Sequence, residues 1–184
     1  MNSKYPVRDM ILIALFAALT SVMAYVAIPL PFSPVPMTGQ TFAVMLAGVL
    51  LGARKGAFSQ IIYLLLGVVG VPVFAGGQAG LSRLAGPTGG FIWGFVLGAY
   101  VIGKLVERHG RPSMIYLIAA VTAGGILAVY IPGILQLAYV TGMTVRQAVV
   151  AMLPYIPGDV VKVLAASALA KQMLSIPVLR SAHN

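Results

Sequence analysis

Residues 71–111, VPVFAGGQAGLSRLAGPTGGFIWGFVLGAYVIGKLVERHGR, set a pattern that the rest of the chain repeats. The middle, 88–107, is a run of apolar and small residues with no charge before Lys104. At 1.5 Å of rise per residue a helix of about 20 residues crosses a hydrocarbon core of about 30 Å, so this run predicts a membrane span. Its flanks differ. One carries Lys104, Arg108 and Arg111, and the other is rich in glycine with one cation, Arg83. Basic residues gather on the cytoplasmic side of membrane helices, so the asymmetry orients the span as well as marking it.

Outward from this stretch, Gly and Pro clusters divide the sequence into apolar segments near 9–29, 40–53, 56–71, 88–107, 113–140 and 158–174. Of 184 residues, 60% are hydrophobic and 8% charged, against about 25% charged in a soluble domain, so the solvent for this fold is lipid. The expectation is an all-α integral membrane protein of about six transmembrane helices, a single transmembrane domain over 1–184 with no room for a second. The run from Met10 to Leu30 is too long for the core of a signal peptide and has no clear cleavage site, which predicts a retained first helix. The segment 40–53 is short for a span, so it either begins earlier, near Pro36, or stops partway where protein covers it. Pro132 and Gly133 in YIPGIL predict a kink or break in the fifth helix. With no cysteine, the fold rests on packing rather than disulfides.

Charge completes the topology. Six spans put Lys4, Arg8, Arg54, Lys55, Lys104, Arg108, Arg111, Lys171 and Arg180 on one side, which marks that side and both termini as cytoplasmic. The opposite connections, 30–39, 72–87 and 141–157, hold only Arg83 and Arg146. The net charge of +9 is spread singly between apolar runs and makes no dense basic face, so the expected surroundings are the cell membrane and not nucleic acid. Catalysis lacks its usual parts. His109 and His183 lie far apart, no metal-ligand spacing exists, and no G-x-x-x-x-G-K-[ST] loop is present, so the chain is expected to be no enzyme and to hydrolyse no ATP by itself.

The unusual residues concentrate in the outer connections. Pro29, Pro31, Pro34 and Pro36 stiffen the first into extended segments, either as the wall of a pocket or as a plain helix-ending linker. Gly76 and Gly77, with Gln78 beside them, either let backbone approach a ligand or let helices pack closely. Phe74, Phe91, Phe95 and Trp93 suit an apolar pocket or an interfacial anchor. Of the three acids, Asp9 and Glu107 fall at cytoplasmic helix ends, whereas Asp159 begins the last helix on the outer side. Lys162, three residues on, shares its face. Two readings stand: a helix cap braced by its lysine, or a carboxylate acceptor and ammonium donor for a ligand. Ala14 and Ala18 make a smooth stripe on the first helix, for internal packing or for a partner helix.

Three stretches in order, PVPMTGQTFAVMLAGVLLGARKGAFSQIIYLLLG (34–67), VPVFAGGQAGLSRLAGPTGGFIWGF (71–95) and LPYIPGDVVKVLAA (153–166), resemble the BioY family. Its members are the biotin-specific substrate-binding subunits of energy-coupling factor transporters. The resemblance implies a six-helix fold with an outward-facing pocket roofed by loops. It also implies biotin as transported ligand with no cofactor, and as partners a transmembrane coupling subunit and two cytoplasmic ATPase subunits. Asp159 and Lys162 match the family's Asp and Lys of the final helix, and Arg83 matches a family arginine. Phe74, Gly77, Gln78, Phe91 and Trp93 complete the expected ligand-binding set, and Ala14 and Ala18 match the surface that meets the coupling subunit. Relatives often carry Asn near 76–77 and Tyr at the position of Phe91, so ligand contacts there depart from the family pattern. A self-sufficient carrier working without ATPase subunits is the alternative function.

Overall fold

The computed structural model describes residues 6–31, 33–109 and 112–174; Lys4, Arg111, Arg180 and His183 lie outside the described residues. The first helix, α1 (Val7–Met23), buries Ile13, Phe16, Ala17 and Thr20 and leaves Ile11, Leu15 and Val22 exposed. Both faces are apolar because lipid accepts such side chains as readily as the protein interior does, so the buried stripe is selected by close packing.

The chain then runs through β1 (Ala27–Leu30) and β2 (Ser33–Thr38), an antiparallel hairpin that pairs Ala27 with Thr38 and Ile28 with Met37. This adds a two-stranded ribbon to the all-α expectation, pairing the extended segments expected there, and corrects the first helix, which ends at Met23 and not near residue 29. The prolines at 29, 31, 34 and 36 cannot continue a helix, and a two-stranded ribbon, being all edge, tolerates their missing donors.

The stretch α2 (Gln40–Val68) is broken at Gly52, which takes φ 79° and ψ −178°. Its arms, 40–51 and 53–68, fold back on each other so closely that a Cβ on Gly56 would lie 2.9 Å from the Ala47 carbonyl oxygen. The turn falls just before the Arg54–Lys55 pair expected to form it, because glycine reaches positive φ without a Cβ clash. The helix α4 (Gly89–Glu107) lies against this turn, and a Cβ on Gly103 would collide with the backbone of Gly52 and Ala53. Glu107 Oε1 accepts a hydrogen bond from the Ala53 amide at 2.8 Å, satisfying a free donor at the start of the second arm.

Between these helices sits α3 (Ser82–Ala85), a short turn in the glycine-rich loop. Past α4, α5 (Met114–Thr122) continues through a π-helical turn, Ala123–Ala128, into α6 (Val129–Thr141), which contains Pro132. The break expected at Pro132–Gly133 is therefore displaced upstream. Proline offers no N–H to the carbonyl four residues before it, that of Ala128, and the widened turn ends at Ala128, so the helix runs on through the proline. The connection expected at 141–157 is mostly helix as well. A capping box of Thr144 and Gln147 starts α7 (Val145–Met152), and a 3-10 turn, Leu153–Tyr155, leads into α8 (Ile156–Met173).

Four helical stretches, Gln40–Val68, Gly89–Glu107, Met114–Thr141 and Val145–Met173, are long and apolar enough to cross a membrane. With the two arms of α2 taken separately and α1 added, six rods form the bundle among the described residues. One end of it is tightly closed. Asp9 pairs with Lys55 at 2.8 Å, and Lys171 donates to the Pro112 carbonyl at 2.6 Å, so the start of α1 and the finish of α8 lie together at the Gly52 end.

Candidate functional site

The other end of the bundle is hollow. A cavity of about 890 Å³ opens between the β-hairpin, the 74–78 loop, α3, the first turns of α4, and the sides of α6 and α8. That volume falls in the upper part of the range for small-molecule pockets, roughly 300–1,000 Å³. Phe74, Phe91, Ile92 and Phe95 give it an apolar wall, with Met37 and Met152 lining it as well. Phe74 is fixed by Tyr63, whose ring meets it edge-on at 5.7 Å.

Asp159 lies in the first turn of α8, which Pro157 helps to start. It is only 4% exposed. Its carboxylate does not cap the helix. Oδ1 accepts from Lys162 Nζ at 3.0 Å and Oδ2 accepts from the Tyr130 hydroxyl, while Lys162 Nζ also donates to Thr41 Oγ1 at 3.1 Å. An ion withdrawn from water costs several kcal/mol, so a lone carboxylate here would be untenable; the Lys162 ammonium and the Tyr130 hydroxyl offset that cost, and Thr41 in turn accepts from the ammonium. A carboxylate has about four acceptor positions, and this network occupies one on each oxygen, leaving acceptor capacity at the cavity.

The hairpin that covers the cavity is tied down through β2, at its middle and at its base. Tyr155 donates its hydroxyl to the Val35 carbonyl, and Gln40, at the base of β2, donates its amide to Tyr63 and accepts from Thr38 at 3.2 Å. The end of α1 reaches the glycine-rich loop through Tyr25, whose hydroxyl donates to the Pro72 carbonyl at 2.6 Å.

Of the residues selected from sequence, Asp159, Lys162, Arg83, Phe74, Gln78 and Phe91 line the cavity. Gly77 and Trp93 are outside that lining. Gly77 takes φ 73° behind the Tyr25 ring, where an added Cβ would lie 3.4 Å from Cε1. Trp93 is 49% exposed; Phe91 and Phe95, four apart, share the inner face of α4, and a residue two places on points to the opposite face. Arg83 is exposed and, among the described residues, makes no ion pair. Ala14 and Ala18 are exposed on α1, while their neighbour Ala17 is buried. Sequence reasoning missed Tyr130, Thr41, Gln40 and Tyr155. Each sits in an apolar or proline-rich stretch, and Tyr130 meets its partner 29 positions away, so no spacing advertised it. At the closed end His109 stacks on Tyr116, and no cluster able to hold a metal occurs among the described residues.

Membrane-spanning helices around a largely apolar cavity with one buried carboxylate on its wall define a multi-pass membrane protein with a cavity of small-molecule size. The chain belongs to the BioY family, whose profile matches residues 1–177. The biotin transporter BioY of Rhizobium etli is 43% identical over 180 residues, covering 94% of this chain and 96% of that one. The biotin transporter BioY of Thermotoga maritima is 38% identical over 175 residues, covering 94% and 99%. A 2.1 Å crystal structure of the S-component for biotin from an ECF-type ABC transporter shares the fold, with a TM-score of 0.89 at 24% identity over 96% of this chain and 95% of that one.

Proposed function

We propose that the chain binds biotin from outside the cell and delivers it as the substrate-specific subunit of an energy-coupling factor importer. The observation that carries this reading is the set of groups that line one cavity: a buried, partly satisfied carboxylate at Asp159, apolar walls, and the exposed guanidinium of Arg83, which makes no ion pair among the described residues. Biotin has the complementary groups. Its ureido ring offers two N–H donors and a carbonyl, its thiophane and valeryl chain are apolar, and its far end is an anion. Asp159 accepts from the ureido N–H groups, Phe74, Phe91 and Phe95 pack on the apolar middle, and Arg83 meets the carboxylate by charge-assisted hydrogen bonds. The names of the curated relatives support the same substrate.

Sidedness follows from charge. Arg54, Lys55, Lys104, Arg108 and Lys171 lie toward the Gly52 end, which makes that end cytoplasmic and turns the cavity outward. The exposed Ala14 and Ala18 offer a smooth face for a transmembrane coupling subunit, which with two cytoplasmic ATPases supplies the energy the chain has no motif to harvest. Purified protein should bind biotin and leave thiamine and riboflavin unbound. Equal binding of the three, or none of biotin, refutes the substrate. For the partner, Ala18→Trp should abolish assembly with the coupling subunit while the isolated variant binds biotin as wild type does; preserved assembly refutes that surface.

A further inference from the structure

Two polar side chains on α6, in an otherwise apolar stretch, each hold one pole of the cavity. Tyr130 donates its hydroxyl to Asp159 Oδ2. Gln136 donates its amide to the carbonyls of Leu84 at 2.6 Å and Gly86 at 2.9 Å. Those carbonyls end the short turn α3 that carries Arg83, and a turn of that length cannot hold itself, since nucleating a helix costs more than its first hydrogen bonds return. Gly89 leaves the opening through which the amide reaches: a Cβ there would collide with the Leu84 carbonyl and with Gln136 Nε2.

The direction of both side chains depends on the π-helical turn Ala123–Ala128 just before them. Such a turn inserts one residue into the helix and rotates everything after it by about 100°. Without that residue, Tyr130 would leave Asp159 and Gln136 would leave the α3 loop. Gly124 and Gly125 press the widened turn against Ile102 of α4 and Met45 of α2, which holds the register in place.

We infer that α6 is the positioning element of the site: Tyr130 fixes the Asp159 carboxylate, Gln136 fixes the loop that carries Arg83, and the π-helical turn sets the register that aims both. This rests on the biotin orientation proposed above. Two comparisons test it, each on purified protein with thermal unfolding recorded alongside affinity. Tyr130→Phe should weaken biotin binding about tenfold in the wild-type background but less than about twofold in an Asp159→Asn background, because the hydroxyl acts through that carboxylate. Gln136→Leu should weaken biotin binding several-fold, on the order of the worth of one charge-assisted contact, and leave binding of biotin methyl ester unchanged. Wild-type affinity in either variant overturns the inference, as does an equal loss in both backgrounds or for both ligands, which marks a merely structural role. The orientation itself is checked on the parent proteins. If Asp159→Asn keeps full affinity, or the wild-type chain binds the ester as tightly as biotin, the orientation fails before α6 is tested.

Discussion

The closed and hollow ends of this bundle use the same scarce residue in opposite ways. Three acids exist in the chain. At the closed end Asp9 pairs with Lys55 and Glu107 satisfies the Ala53 amide, so both carboxylates tie one helix to another. Glycines there remove space: the helices touch backbone to backbone at Gly103 and Gly56. At the hollow end Asp159 is held on both oxygens by groups from α6 and α8, yet it borders the cavity with acceptor capacity left over. Under the proposed function the two carboxylates that close contacts hold helices in place, and the one held rigidly beside empty space takes the ligand. The difference lies in what packs around the acid, not in the acid.

Substitutions that separate stability from binding should break this contrast if it is false. The largest effect is expected from Gly103→Val at the closed end. Its side chain would meet backbone that cannot shift, so detergent-solubilised protein should lose about 3 kcal/mol or more of stability, while the surviving folded fraction binds biotin normally. Unchanged thermal unfolding would show that the turn at Gly52 is not a close contact.

Asp159→Asn should do the reverse. It keeps the size of the side chain but replaces half its acceptor capacity with donors, for a loss of about 2 kcal/mol of biotin binding; the amide oxygen and Thr41 still accept from the Lys162 ammonium, so the loss of stability should be smaller than in Gly103→Val. If the acid were a structural brace, stability would fall and affinity would survive. Lys162→Met retains the stem of the side chain and removes the ammonium. Titration calorimetry should record about 1–2 kcal/mol of lost affinity, since Asp159 then keeps only the Tyr130 hydroxyl. Wild-type affinity in this variant would place Lys162 outside the site.

The smallest effect belongs to Glu107→Gln. The amide oxygen can still accept from Ala53, so only the charge near the start of a helix is lost, about 0.5 kcal/mol of stability with unaltered biotin affinity. A drop in affinity here would mean that the two ends are coupled, contrary to the division drawn above.

Much of this was legible beforehand. Apolar runs of spanning length and the one-sided distribution of cations marked the helices, because the cost of a polar residue in lipid is paid locally and leaves a local trace. Asp159 and Lys162 stood out for the same reason: charges in an apolar run need an explanation. The hairpin was half visible, since its prolines excluded helix without disclosing that the two extended segments pair. The helix break was assigned to Pro132, where the chemistry is conspicuous, while the backbone relieved it at the π-helical turn upstream.

The sequence by itself determined that the chain is mostly helical and spans a membrane several times, because burial in lipid penalises each residue on its own. Only the tertiary structure decided that Tyr130 and Thr41 complete the charged network, that Phe91 faces the cavity while Trp93 faces away, and that Gln136 holds the loop of Arg83. Those relations join residues far apart in the chain, and hydrogen bonds of about 3 Å require positions and directions that no local propensity encodes.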